Sequence, residues 1–294
     1  APYLVGHPAY SRYGLQPFQE KEERTWIYGN RYAGDNIAIP GDLVYFAKHP
    51  EQQQYCYTPS STGVAAHSDI ELAQINAMLE LIERDSVAVH WYGMLTPNGI
   101  SDEYLSATVL SRKTDWIKAG WEVYVLDMTL DLTPVCMVLL INHKQYPVLS
   151  SGAASAFTME AAIRKAFLEA EYMAISWQKR RKKAMTPEKV KLPDDHGLLY
   201  ATNQHFKEVE HLLFGSETIP KDNCLTIEEL LHRTEAVTVR MDDNKYPLVV
   251  IRVLSSHLLP LTFGFETEHY GHRRLEMLQY TWHRPFPSIP HIFS

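Results

Sequence analysis

The chain has 294 residues and 33.8 kDa, with 45% hydrophobic, 21% charged and 11% aromatic residues and a net charge of -7. That apolar content excludes a mainly disordered chain, and 14 Gly and 17 Pro without a period exclude a collagen-like one. A pI near 6.1 argues against a protein that wraps nucleic acid, and no apolar stretch is long enough to span a bilayer.

Taken in chain order, Trp26 to Phe46 reads as short strands, with turns at Gly29-Asn30, Gly34-Asp35 and Pro40-Gly41. A long helix is predicted from about Asp69 to Trp91, with Ser68 and Glu71 as a capping box. Strands follow at Glu122–Leu130 and Val135–Asn142. A second long helix spans about Met159 to Trp177, ahead of a basic run from Lys179 to Lys183. Helices at His205–Phe214 and Thr226–Arg233 precede strands at Ala236–Met241 and Leu248–Leu254. The proline-rich tail runs from Trp282 to Ser294. Interspersed strands and helices make the class mixed α/β. The cysteines Cys56, Cys136 and Cys224 are widely separated and odd in number, which is no disulfide framework and implies a reducing, cytoplasmic setting. No signal segment follows Ala1, and the chain reads as one trimmed of its start.

The sequence repeats itself. Ser61-Thr-Gly-Val-Ala-Ala66 precedes the first long helix and Ser150-Ser-Gly-Ala-Ala-Ser155 the second, at an offset of 89 residues. The offset continues without a gap through Glu71/Glu160, Ala73/Ala162, Ala77/Ala166, Leu79/Leu168 and Glu80/Glu169. Residues 61–91 and 150–177 are therefore expected to be duplicated units, each a small-residue Gly turn feeding a helix packed on one common sheet.

The second half of the first helix is almost wholly apolar, yet it carries Glu80, Glu83 and Arg84 on one face. Two readings stand: an ordinary Glu80–Arg84 salt bridge, or carboxylates that hold a hard cation beside a phosphate-binding arginine. Glu169 at the duplicated position suggests a cleft shared by the two helices. No GxGxxG or Walker loop, nucleophile elbow or convincing zinc set is present, and His269 and His272 flank a loop glycine.

The stretch Gly63 to Asp85, with its Glu-Leu-Ile-Glu-Arg-Asp, resembles the signature of the YcaO family. Gly152 to Tyr172, Val249 to Leu254, Leu258 to Gly264 with Arg274-Leu275, and the ending Pro285 to Phe293 are similar to later family segments. The resemblance implies a single YcaO-like domain over residues 1–294 and an ATP- and Mg²⁺-dependent enzyme. It would close azoline rings from Cys, Ser or Thr of a precursor peptide. It implies Glu80, Glu83 and Glu169 as metal ligands and, with Arg84, as the catalytic set. Ser68, Arg84 and Lys165 would be ATP contacts, and Pro290 and His291 would shape peptide access. A leader-binding partner, a flavin dehydrogenase and self-association are the partners it implies, with no nucleic acid or membrane. A thioamide-forming enzyme is one alternative. A degenerate scaffold subunit is another, favoured by Leu72 where a Glu is usual and by the loss of the family's first motif; Ser68, Tyr172 and His291-Ile292 also stand where family members carry Asn, Gln and His-Pro. The family's Ser-x-x-x-Glu-x-x-Glu-Arg helix is not found upstream of Tyr57, so the amino-terminal part of the domain is expected to be missing. The tail, rich in Trp282, Phe286, Ile289, Ile292 and Phe293, is expected to pack back on the body and bring His291 to the cleft.

Overall fold

The computed structural model describes residues 7–19, 21, 23–32, 34–45, 55–57, 60–180, 185–213, 215–222, 225–243, 245–283 and 289–293. Cys224, most of the basic run after Arg180, and Pro285 to Pro287 lie outside them. Two five-stranded sheets are present among the described residues. The first contains β1 (Trp26–Arg31), β2 (Asn36–Pro40), β3 (Val64–His67), β9 (Val237–Arg240) and β10 (Val249–Leu254), in the order β2-β1-β9-β10-β3. The second contains β4 (Asn98–Ile100), β5 (Glu122–Asp127), β6 (Val135–Ile141), β7 (Leu149–Ser155) and β8 (Glu217–Thr218), in the order β7-β6-β5-β4-β8. The helices are α1 (Ala9–Tyr13), α2 (Gly41–Val44), α3 (Ile70–Gly93), α4 (Ala107–Lys118), α5 (Met159–Gln178), α6 (Pro193–Tyr200), α7 (Ile227–Arg233) and α8 (Arg274–Met277). None is long and apolar enough to cross a membrane.

The two units share features in their caps and their pairing. Asp69 caps α3, its carboxylate accepting the amides of Glu71 and Leu72 at 2.8 and 3.1 Å. Thr158, the residue at the 89-residue offset, caps α5 through the Ala161 amide. Ser68 is not the cap. The Asp69 amide donates to His67 Nδ1 at 2.9 Å, and this turn leaves Asp69 extended before the first helical residue, where a carboxylate meets both free amides and the positive end of the helix. β3 and β7, the strands that feed the two helices, each end a sheet and pair antiparallel with one neighbour.

The helices do not share one sheet. α3 packs on β3 and β10 with one face and on β6 and β7 with the other, whereas α5 packs on β6 and β7, with α4 beside it. β6 explains the layering. Its residues Val135, Met137, Leu139 and Ile141 join the core around α3, and Cys136, Val138 and Leu140 join the core of Ala162, Ala166, Phe167 and Ala170 on α5. The order is sheet, α3, sheet, α5. A helix covered on two sides needs no polar stripe, which is why the period of α3 fades in its second half.

The small-residue segments also divide. Gly63 is a turn residue, with φ +74° and no room for a Cβ, which would lie 2.3 Å from the Val253 carbonyl oxygen. Gly152 lies within β7, so the segment expected as a turn is a buried strand. A Cβ there would meet the Ala166 oxygen at 2.3 Å and the Ala170 nitrogen at 2.4 Å. The glycine lets α5 rest directly on the strand. The helix expected at 205–214 is a 3-10 helix over Asn203–Leu212, and α7 forms behind a Thr226–Glu229 capping box.

Candidate active site

The two glutamates of the repeat make the same bond. Glu80 Oε2 accepts the Val64 amide of β3 at 3.2 Å, and Glu169 Oε2 accepts the Ala153 amide of β7 at 2.8 Å. Donor and acceptor both obey the 89-residue offset. The helix glutamate thus satisfies an amide on the strand that feeds its own helix.

Glu80, Glu83, Arg84 and Glu169 lie close enough to govern one another's charge. Glu80 Oε1 pairs with Arg84 Nη2 at 2.8 Å. Burial raises Glu80 against the pull of Arg84 and the strand amides. Burial also holds Glu83 well above the ordinary carboxyl range, reinforced by Glu169 and Glu80 and opposed by Arg84. Glu169 is pushed up to about 7, chiefly by burial. Carboxylates so placed repel one another when ionised. Arg84 donates to Thr62 Oγ1 at 2.7 Å, and its guanidinium lies 5.5 Å from the centre of the Phe263 ring. The Glu80–Arg84 salt bridge forms, and it lies beside the buried carboxyl groups of Glu83 and Glu169.

Arg252 belongs beside them and the sequence reading passed over it. It is buried on β10, donates to the Val44 carbonyl at 3.1 Å, and is lowered to about 10 by burial while Glu80 pulls it back up. The available signal was a lone arginine inside Val-Val-Ile-Arg-Val-Leu. With Arg31, Thr62 and Leu81 it lines a cavity of about 340 Å³, within the range of small-molecule sites. Ser68 is exposed ahead of α3 and Lys165 is exposed one turn before Glu169; neither lines that cavity.

The tail returns to this region. The carbonyls of Ile289 and Ile292 accept from Trp91 Nε1 and Ser151 Oγ at 3.1 and 3.2 Å, and Tyr200 donates to the Pro290 carbonyl. His291 is fully buried, stacks on His196 with ring centres 4.1 Å apart, and bonds the Thr262 carbonyl through Nε2 at 3.0 Å. Burial, then the neighbouring His196, depress its pKa, and the charge of Arg84 acts in the same direction.

Over residues 2–259 the sequence matches the family described as YcaO cyclodehydratase, ATP- and Mg²⁺-binding. The chain belongs to the YcaO family. No curated protein sequence matches it. Among solved structures, this YcaO chain is similar to a heterocyclase in complex with substrate and cofactor, with TM-score 0.71 and 17% identity over 89% of this chain and 36% of that one. It is similar to the E. coli microcin synthetase McbBCD complex, with TM-score 0.64 and 13% identity over 80% of this chain and 65% of that one. It is also similar to YcaO from Methanopyrus kandleri bound with AMPPCP and Mg²⁺, with TM-score 0.62 and 16% identity over 83% of this chain and 67% of that one. The chain therefore spans about a third of the first of these and about two thirds of the others.

The mixed α+β fold is that of YcaO heterocyclases, and the family's cofactors are ATP and Mg²⁺. The Ser-x-x-x-Glu-x-x-Glu-Arg spacing sought upstream of Tyr57 is met on α3 itself by Asn76, Glu80, Glu83 and Arg84, with Asn in the first place. Among the described residues no three His, Cys, Asp or Glu side chains are already set around a cation position. The donor chemistry nevertheless fits Mg²⁺. The carboxyl groups of Glu80, Glu83 and Glu169 are hard oxygen donors, raised in pKa by burial and by one another, and they stand near Arg84, whose guanidinium suits phosphate.

Proposed function

We propose that this chain uses ATP to activate backbone amides of a ribosomally made peptide, closing azoline rings from Cys, Ser or Thr. The observation that carries this reading is the repeated carboxylate register, Glu80 and Glu169 each on a strand amide and each electrostatically coupled to Arg84, as Glu83 is, in a family that binds ATP and Mg²⁺. In the reaction the side-chain sulfur or oxygen bonds to the preceding carbonyl carbon, whose oxygen becomes a hydroxyl. The γ-phosphoryl group passes to that oxygen and ADP leaves. Phosphate then departs with the amide proton lost from nitrogen, leaving a C=N bond.

Glu80, Glu83 and Glu169 would hold Mg²⁺. When bound, the ion supplies neutralisation of phosphate charge, the main requirement of phosphoryl transfer. Arg252 would face the phosphates from the wall of the cavity and Arg84 from the neighbouring carboxylate cluster, and apolar walls such as Leu81 suit the base. Pro290 and His291 are buried, so they would bear on peptide access only through the packing of the tail. A leader-binding partner fits the likeness to a microcin synthetase that is itself a complex.

A scaffold role is the second reading, favoured by exposed Leu72 and Tyr172 at positions where the family resemblance calls for Glu and Gln. One experiment separates the two. The purified chain is given ATP, Mg²⁺ and a Cys-bearing peptide, and phosphate release and loss of water from the peptide are measured. Coupled release and water loss support the enzyme; nucleotide binding without either supports the scaffold.

A further inference from the structure

One short segment, residues 259–264, touches several elements around the Glu80–Arg84 pair. The Leu259 amide donates to Asp85 Oδ1 at 2.7 Å. The Leu261 carbonyl takes a long bond from Thr62 Oγ1, the same oxygen that receives Arg84. The Thr262 carbonyl anchors His291, and the Phe263 ring lies beneath Arg84. The Gly264 amide donates to His196 Nε2 at 2.9 Å, which leaves the proton on Nδ1 for the His291 carbonyl.

Asp85 fixes where that segment lies. It follows Arg84 on α3, so two adjacent helical residues grip the same segment, Asp85 at Leu259 and Arg84 at Phe263. Asp85 is 1% exposed, and Arg274 Nε reaches both its oxygens at 3.1 and 2.9 Å. The other edge of the Arg274 guanidinium forks onto Asp131 at 3.0 and 2.6 Å. Removing one partner of such a buried pair leaves the other uncompensated and free to shift.

We infer that Asp85 is a positioning residue for the site. Through the Leu259 amide and Arg274 it seats residues 259–264, which set the ring under Arg84 and the carbonyl that holds the tail. This rests on reading the Glu80–Arg84 cleft as the catalytic one. Asp131 is half exposed on its side chain, and its loss leaves the Asp85–Arg274 fork intact.

The test compares Asp85→Asn, Arg274→Lys and Asp131→Asn in the full chain by hydrogen exchange and by steady-state kinetics. In Asp85→Asn, exchange over 259–264 speeds at least about tenfold while β6 stays protected. With peptide and ATP, kcat falls at least about tenfold while KM for ATP stays within about threefold. Arg274→Lys gives the same pattern more weakly, and Asp131→Asn behaves as wild type. Should Asp85→Asn fail to fold, Arg274→Lys decides. Unchanged exchange at 259–264, equal loosening of β6, or unchanged kcat in an active enzyme overturns the inference. If the wild type turns over no ATP, the proposed function fails, and exchange alone decides the positioning role.

Discussion

Replacing Glu169 with Gln should stabilise the metal-free protein at neutral pH. The carboxamide oxygen of the new side chain can still accept the Ala153 N–H, so the change removes charge and little else. The ordinary glutamate value is 4.5 and the folded value is about 7. Below 4.5 the folded and unfolded chains both carry the proton. Between 4.5 and about 7 the unfolded chain ionises first, so stability falls as pH rises through that window. At about 1.4 kcal/mol per pKa unit the shift corresponds to about 3 kcal/mol. Glu169→Gln should therefore raise the melting temperature at neutral pH by roughly 6 °C in a chain of this size. Relief of the Glu83–Glu169 repulsion acts in the same direction. Thermal unfolding followed by circular dichroism across pH, with and without Mg²⁺, measures it. The gain should vanish below 4.5, and Mg²⁺ should narrow it at neutral pH by stabilising the wild type. Equal melting temperatures at neutral pH without Mg²⁺, or a gap that persists in acid, would refute the reasoning.

Glu80→Gln keeps an acceptor for the Val64 amide but loses the Arg84 pair, so phosphate release should disappear while circular dichroism stays native. Gly152→Ala places a Cβ against the α5 backbone and should cost about 3 kcal/mol or more in denaturant unfolding, by forcing α5 off β7. Deleting residues 290–294 removes buried Ile292 and Phe293 and should cost about 3–6 kcal/mol, measurable by thermal unfolding. That deletion therefore lowers stability along with any effect on peptide access. Arg84→Lys should weaken ATP binding measured by calorimetry, because lysine cannot bridge Glu80 and Thr62 while facing phosphate.

Local signals in the sequence reached as far as their physics reaches. A cap acts over one turn and a helical face over a few, so both long helices, the α7 capping box and the shared face of Glu80, Glu83 and Arg84 were legible. The offset of 89 residues was legible too, because both units need the same cap and the same strand amide satisfied. The choice between Ser68 and Asp69 as cap was not, since it turns on one hydrogen bond to His67. Packing decided the rest. Leu149–Ser155 has the small residues of a turn and becomes a strand because it pairs with β6 and is covered by α3 on one face and α5 on the other. The two helices fall on different layers because β6 is apolar on both faces, and no pattern within either helix records that. Arg252 joins Glu80, and Arg274 joins Asp85 across 189 positions of chain, only because a charge buried by the folded core must find an opposite charge within reach.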